Sequence, residues 1–252
     1  MRAVVALLCA LLFNVAQAAV QTSERVVSID GSITEIIYAL GAEADLVAVD
    51  TTSRYPVAAQ QLPDVGYMRQ LSVEGILALK PTLVLATKEA GPEVRVVRIE
   101  NPHSVAGTIS KIEQVAAALD RSQAGKKLAS NLQTNIDRAL ARIPASTGPN
   151  TLFLLGGGNR GFMAAGQHTQ ANAMLELVKA PNIFNHHAYK PISAEGLLKA
   201  NPQVVLIAQT GPAASDLSSQ LAMTDAARSQ RIHSVDTSLV LGFGPRLDQA
   251  IS

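Results

Sequence analysis

Apolar residues in this chain follow two patterns: short continuous runs, and longer stretches with an apolar residue every third or fourth position. Runs of four or five mark strands buried on both faces, and the wider spacing marks one face of a helix. RVVSI at 25–29 and LVAV at 46–49 read as strands, with a helix over 32–40 between them that stops at Gly41. LVLA at 83–86, VVRI at 96–99, LFLL at 152–155 and IHSV at 232–235 read as further strands. The longest helical pattern covers 110–143, where Ile112, Val115, Ala116 and Leu119, then Leu128, Leu132, Ile136 and Leu140, form the stripe and Pro144 ends it. Polar residues 120–123 are a point where it can break.

One segment occurs twice. LSVEGILALKPTLVLA at 71–86 aligns without a gap on ISAEGLLKANPQVVLI at 192–207, with seven of sixteen positions identical. Each copy reads as a capping Ser, a short helix, a Pro stop and a buried strand. Strands alternating with helices give an α/β class. The reading is two Rossmann-like lobes with mostly parallel sheets, over 25–109 and 148–252, joined by one long helix over 110–144. Two similarly built lobes make a cleft, and a cleft holds a ligand. One place fits badly: only residues 87–95 separate LVLA from VVRI, and Gly91-Pro92 breaks a helix there. A parallel crossover takes about a dozen residues or more. Either these two strands do not pair in parallel, or an element is missing.

Length and composition then narrow the class. With 252 residues, 48% of them apolar, the chain can bury one or two cores. The formal charge is +1, with no basic block and no Trp, which argues against a nucleic-acid partner. At the N-terminus Met1-Arg2, an apolar stretch over 3–12 and Ala16-Gln17-Ala18 read as a cleaved signal peptide over 1–18. That stretch is too short to span a bilayer, and no other segment approaches about 20 apolar residues. Cys9, the one cysteine, lies inside the signal, so the mature chain has no disulfide and relies on its core. The expected address is the periplasm.

Several motifs carry candidate chemistry. GGGNRG at 156–161 matches the G-x-G-x-x-G dinucleotide fingerprint, with Glu176 as the acidic partner. Residues 162–166 read as loop, however, and helical pattern starts only near Thr169, so a cleft loop suits the motif better than a phosphate cradle. No G-x-S-x-G elbow and no H-E-x-x-H occurs, and the adjacent His186 and His187 would point apart on a strand. Tyr67 sits in a loop just before the first repeat helix, with Arg69 two residues on. Such a tyrosine is ordinarily packing or surface. A cation beside it favours the phenolate, a hard anionic donor suited to ferric iron and of the type that ligates haem.

GYMRQLSVEGILALKPTLVLA at 66–86, MAAGQHTQANAM at 163–174 and LVLGFGPR at 239–246 resemble the periplasmic haem-binding proteins of bacterial haem ABC importers. The resemblance runs across essentially the whole mature chain, and Tyr-x-Arg before the S-x-E-G helix is its most specific part. It implies that haem b is the transported ligand, that Tyr67 is the axial ligand to its iron, and that Arg69 hydrogen-bonds that tyrosine. His168 becomes a candidate second haem ligand, against the plain reading of an exposed residue at a helix entrance. Lys88 and Arg246 become candidates for pairing with haem propionates, against ordinary solvated bases. Glu74 and Glu195 occupy the same place in each repeat copy. Acids there offset the helix dipole; the resemblance adds docking on an ABC permease dimer with its ATPase. It implies transport without catalysis. Sister proteins for ferric siderophore or cobalamin share the lobes and the glutamates without needing Tyr-x-Arg, and a nucleotide-dependent enzyme would rest on 156–161.

Against that family the chain departs in three places. Relatives carry a helix between Gly91-Pro92 and VVRI, residues 213–220 look shorter, and relatives continue past 248–252 with a final helix packed on the second lobe. The expectation is a shortened second lobe.

Overall fold

The computed structural model describes residues 24–67, 70–87, 95–156, 161–209 and 221–252. Four strands build the first sheet: β1 (Val26–Ile29), β2 (Leu46–Val49), β3 (Leu83–Ala86) and β4 (Arg95–Arg98). Their order is β2-β1-β3-β4, and all are parallel. Successive side chains leave opposite faces of a strand. Val26, Leu83 and Leu85 therefore enter one apolar cluster, while Val27, Ile29, Val84 and Ala86 enter another. Burial on both faces is why these strands are continuous apolar runs rather than alternating ones.

Helix α1 (Gly31–Ala39) follows β1, and α2 (Val73–Ala78) leads into β3. β3 and β4 do pair in parallel, with Leu83 opposite Arg95, although only residues 87–94 link them. The expected gap in that connection falls on 88–94, outside the described residues, as does the 213–220 stretch.

The long helical stretch is two helices, which corrects the single connector. Helix α3 (Val105–Ala118) and helix α4 (Ser122–Leu140) are separated at Asp120, whose φ of 55° leaves the helical region. Gly125 then lets the two helices touch: a Cβ there would lie 2.3 Å from that of Ala116. Helix α4 alone continues towards the second sheet.

That sheet contains β5 (Thr151–Gly156), β6 (Phe162–Ala165), β7 (Tyr189–Pro191), β8 (Val204–Gln209) and β9 (Ile232–Val235), in the order β7-β6-β5-β8-β9. β5, β8 and β9 are parallel, β6 runs antiparallel to β5, and β7 antiparallel to β6. Strand β6 replaces the loop expected at 162–166. Among the described residues the remaining α-helices are α5 (Gln170–Leu177), α6 (Ala194–Ala200), α7 (Asp225–Arg228), α8 (Thr237–Leu241) and α9 (Leu247–Ile251). One apolar cluster runs from the first sheet through α3 and α4 to the second, taking in Val26, Ile112, Ile136, Phe153, Phe243 and Leu247. Helix α9 packs on α4. The fold is α/β with two sheets, as expected.

Candidate functional site

Parallel sheets present loops and helix starts at the carboxyl ends of their strands, where α/β proteins hold ligands. In the first sheet that edge is a dense polar network. Asp30 caps α1, accepting from the Ser32 amide at 2.8 Å and the Ser32 hydroxyl at 2.7 Å. Its own amide donates to Asp50 Oδ1 at 3.2 Å. Asp50, buried at the end of β2, also accepts from Thr52 Oγ1 at 2.7 Å and Ser53 Oγ at 2.8 Å. Burial pushes its carboxyl up, and these donors pull it back. Gly31 is required here, because a Cβ would lie 2.5 Å from the Thr52 carbonyl oxygen.

The second sheet reaches this edge through the segment that leaves β9. Asp236 caps α8 by accepting from the Leu239 amide at 2.8 Å. The chain then crosses to the first sheet's helices. Lys111 on α3, fully buried, donates to Ser32 Oγ at 2.9 Å and to the carbonyls of Gly242 and Phe243 at 3.2 Å each. Thr108 Oγ1 donates to Phe243 O at 3.1 Å. Burial lowers the Lys111 pKa from 10.5 to about 8, with Asp30 and Glu35 resisting the shift. Arg246 meets Glu35 of α1 in a two-pronged pair, Nε to Oε2 at 2.8 Å and Nη2 to Oε1 at 2.6 Å. Its guanidinium also lies 3.7 Å from the centre of the Tyr55 ring. Burial pushes the Glu35 carboxyl up, while the Glu35 hydrogen bond raises the Arg246 pKa. The carboxyl edges of both sheets thus border one region, and Arg246 is committed to Glu35 in its floor.

Tyr67 lies at this edge. It follows β2 and precedes α2, with 42% of its surface exposed. Its loop is fixed on the β2 side. Val49 bonds both Pro63 O and the Val65 amide, and the Thr51 amide donates to Gly66 O at 3.2 Å. Asp64 Oδ1 accepts from the Gly66 amide at 2.7 Å and from Thr51 Oγ1 at 3.1 Å. Gly66, at a φ of 95°, makes the turn a side chain would strain. On the far side the Gln70 amide donates to Tyr67 O at 2.7 Å. Arg69 and Lys88 lie outside the described residues.

His168 sits elsewhere. Strand β6 runs back from Phe162, opposite Gly156, to Ala165, and Gln167 bridges His187 beside the start of β5. His168 is therefore at the amino end of the second sheet, about 16 Å along β5 from its carboxyl end at ~3.3 Å per residue. There its ring stacks on His187, with centroids 4.5 Å apart. In this register His168 belongs to the opposite end of β5 from the carboxyl edge, which does not favour the pairing expected across the cleft. Among the described residues no group of three or more His, Cys, Asp or Glu is arranged to hold a metal ion.

The G-x-G-x-x-G match also has its context. Gly156 and Gly161 sit at the base of the β5–β6 hairpin, Gly156 pairing with Phe162. Residues 157–160 lie outside the described residues, and the described chain goes on from the motif into strand β6, not into a helix whose N-terminus could meet a pyrophosphate.

Glu74 and Glu195 are both exposed, each in the first turn of its helix. Helices α2 and α6 run back to parallel strands β3 and β8, so both glutamates stand at the carboxyl edges, one on each sheet. Sequence reading missed Thr51, Asp64, Lys111 and Glu35. Only Asp64 had a local signal, an Asp two residues before a Gly in a turn.

Residues 26–233 match the family model described as periplasmic binding protein. The vitamin B12-binding protein of Yersinia pseudotuberculosis serotype O:1b is 32% identical over 83% of this chain and 76% of that protein. Among solved structures, the periplasmic heme-binding protein RhuT of Roseiflexus sp. RS-1 is 36% identical, with a TM-score of 0.83 over 91% of this chain and 95% of that one. A periplasmic heme-binding protein of Pseudomonas aeruginosa is 33% identical, with a TM-score of 0.80 over 90% of each chain. The chain belongs to the periplasmic binding protein family, a family of substrate-binding transport proteins.

Proposed function

We propose that this chain captures ferric haem in the periplasm and delivers it to an inner-membrane ABC permease with its ATPase. Tyr67 is the axial ligand to the iron in this reading. The observation that carries it is an exposed phenol on a loop held from both sides, at the carboxyl edge of the first sheet, where the segment that leaves β9 docks. A ligating oxygen must be both reachable and fixed, and a surface tyrosine on an unrestrained loop meets only the first need. The two structural relatives at 33% and 36% identity are heme-binding proteins, which supports the choice of cargo. Arg69 is proposed to hydrogen-bond Tyr67, and Lys88 to meet a propionate. Arg246 would have to leave Glu35 to do the same, so its role is to close the floor. His168 is not retained as a second ligand.

Glu74 and Glu195 are proposed to dock on the two permease subunits. Each is solvent-exposed at a carboxyl edge, and the pair follows the repeat, as a dimeric permease demands. The signal peptide over 1–18 supplies the route to the periplasm. Among the described residues no helix is long and apolar enough to cross a membrane.

Cobalamin is the second reading, favoured by the 32% identical vitamin B12-binding relative. Titration of the purified mature protein with ferric haem and, separately, with cyanocobalamin tests both. Haem binding with a tyrosinate-type visible spectrum that Tyr67→Ala abolishes supports haem. Cobalamin binding unaffected by Tyr67→Ala, with no haem spectrum, replaces it.

A further inference from the structure

We infer that Thr51 and Asp64 are positioning residues for the Tyr67 phenol, an inference that rests on the haem reading above. Thr51 is the second residue past β2, which ends at Val49 in the buried sheet. It engages the loop twice: its amide holds Gly66 O at 3.2 Å, and its hydroxyl holds Asp64 Oδ1 at 3.1 Å. The same Asp64 oxygen receives the Gly66 amide at 2.7 Å. Gly66 is thereby gripped at both its carbonyl and its amide, one residue before Tyr67.

The grip is anchored in turn. Asp50 and Ser53, on either side of Thr51, are buried and bonded to each other at 2.8 Å, and Asp50 also receives the Asp30 amide. The direction in which Tyr67 leaves the loop is thus tied to the end of the sheet. Metal–phenolate bonding is strongly directional, so an oxygen held in place before the ligand arrives loses less entropy on binding. Asp64 itself need not touch the haem. It acts as an acceptor, which makes a specific demand: an Asn carbonyl oxygen accepts the same two hydrogen bonds, and an Ala methyl accepts neither.

The test uses the mature protein as wild type, Asp64→Ala, Asp64→Asn and Thr51→Val, each titrated with ferric haem and followed by visible spectrum, with a thermal melt beside each. Asp64→Ala is expected to weaken haem about tenfold, equivalent to ~1.4 kcal/mol, and to reduce the tyrosinate band at saturation. Asp64→Asn should stay within about twofold of wild type with its spectrum unchanged, and Thr51→Val should fall between. If Asp64→Ala keeps wild-type affinity and spectrum, or if Asp64→Asn is as impaired as Asp64→Ala, the positioning role is overturned. A lowered melting temperature with an unaltered haem spectrum also overturns it, since a purely structural role predicts that. Should wild type itself bind no haem, the functional reading fails, and this inference fails with it.

Discussion

The two copies of the repeat fold alike and are entered differently. In both, a serine caps the helix: Ser72 Oγ accepts from the Gly75 amide and Ser193 Oγ from the Gly196 amide, each at 3.1 Å. Both helices are followed by a non-glycine residue in the left-handed region, Lys80 at a φ of 47° and Asn201 at 41°. Even the way out is pinned in each, though by different partners. Arg25 donates to Leu79 O and Lys80 O in the first copy, while Asn201 and Asp225 bond each other in the second. The approach is where they part. The first copy is reached through the Thr51–Gly66 clamp and Tyr67, the second through the antiparallel β6 and β7. Duplicated local signals reproduce a scaffold, and the phenol proposed as the ligand sits in the segment that was not duplicated.

That asymmetry can be broken in several ways. The largest effect is expected where the two halves are joined. Arg246→Ala leaves the Glu35 carboxylate buried without its partner, and breaking a buried pair this way costs about 3–5 kcal/mol; denaturant unfolding measures it. Glu35→Met with Arg246→Met should recover much of that loss, because no charge is left stranded.

Next comes ligand binding. Tyr67→Ala is expected to weaken haem by about a hundredfold, near 2.7 kcal/mol, whereas His168→Ala in the second half should change it less than about twofold. Equal losses in the two variants would mean that both halves supply ligands and that the comparison is wrong.

A smaller effect should be shared by the copies. Ser72→Ala and Ser193→Ala are each expected to cost about 1 kcal/mol through loss of the cap, read from the shift of the unfolding midpoint. Unequal costs would show that the approach segment, not the repeat, stabilises one of the helices.

A dependence on pH separates wild type from a Lys111 variant. Lys111 titrates near 8 when folded, against 10.5 ordinarily. Between those values the unfolded chain holds a proton that the folded chain has released, so folding is favoured more as pH rises. The stability of wild type relative to Lys111→Met should therefore improve from about pH 8 to about pH 10.5 and stay level below. A gap that does not change with pH would place the Lys111 titration elsewhere.

Much of the scaffold was legible in the residues. LVAV at 46–49 and IHSV at 232–235 are strands over those same residues, and both serine caps were marked by their position before a helical stripe. The break between α3 and α4 was harder to place. Packing one helix against the other keeps both stripes apolar, so the periodicity runs through the turn almost undisturbed. What marks it is polar 120–123 together with the small Gly125. Strand β6 was missed because FMAA is too short to show a period and its partner is β5 across a hairpin. At the site, Tyr67 stood out through its neighbours in sequence. Lys111 and Glu35 did not, and Arg246 was read as a propionate partner rather than as the partner of Glu35, since the two are 211 residues apart and nothing local announces such a pair.

The same separation bears on how the molecule comes to be assembled. A chain made from its N-terminus presents β1, α1 and α3 long before residues 242–246 exist. Until those residues arrive, the Lys111 ammonium lacks two of its three acceptors and the Glu35 carboxylate lacks its guanidinium. Residues 242–246 pack on these groups as well as satisfying them, so the polar edge of the first half is completed only when the last part joins. Closure of the first half is thus coupled to residues more than 130 positions later in the chain.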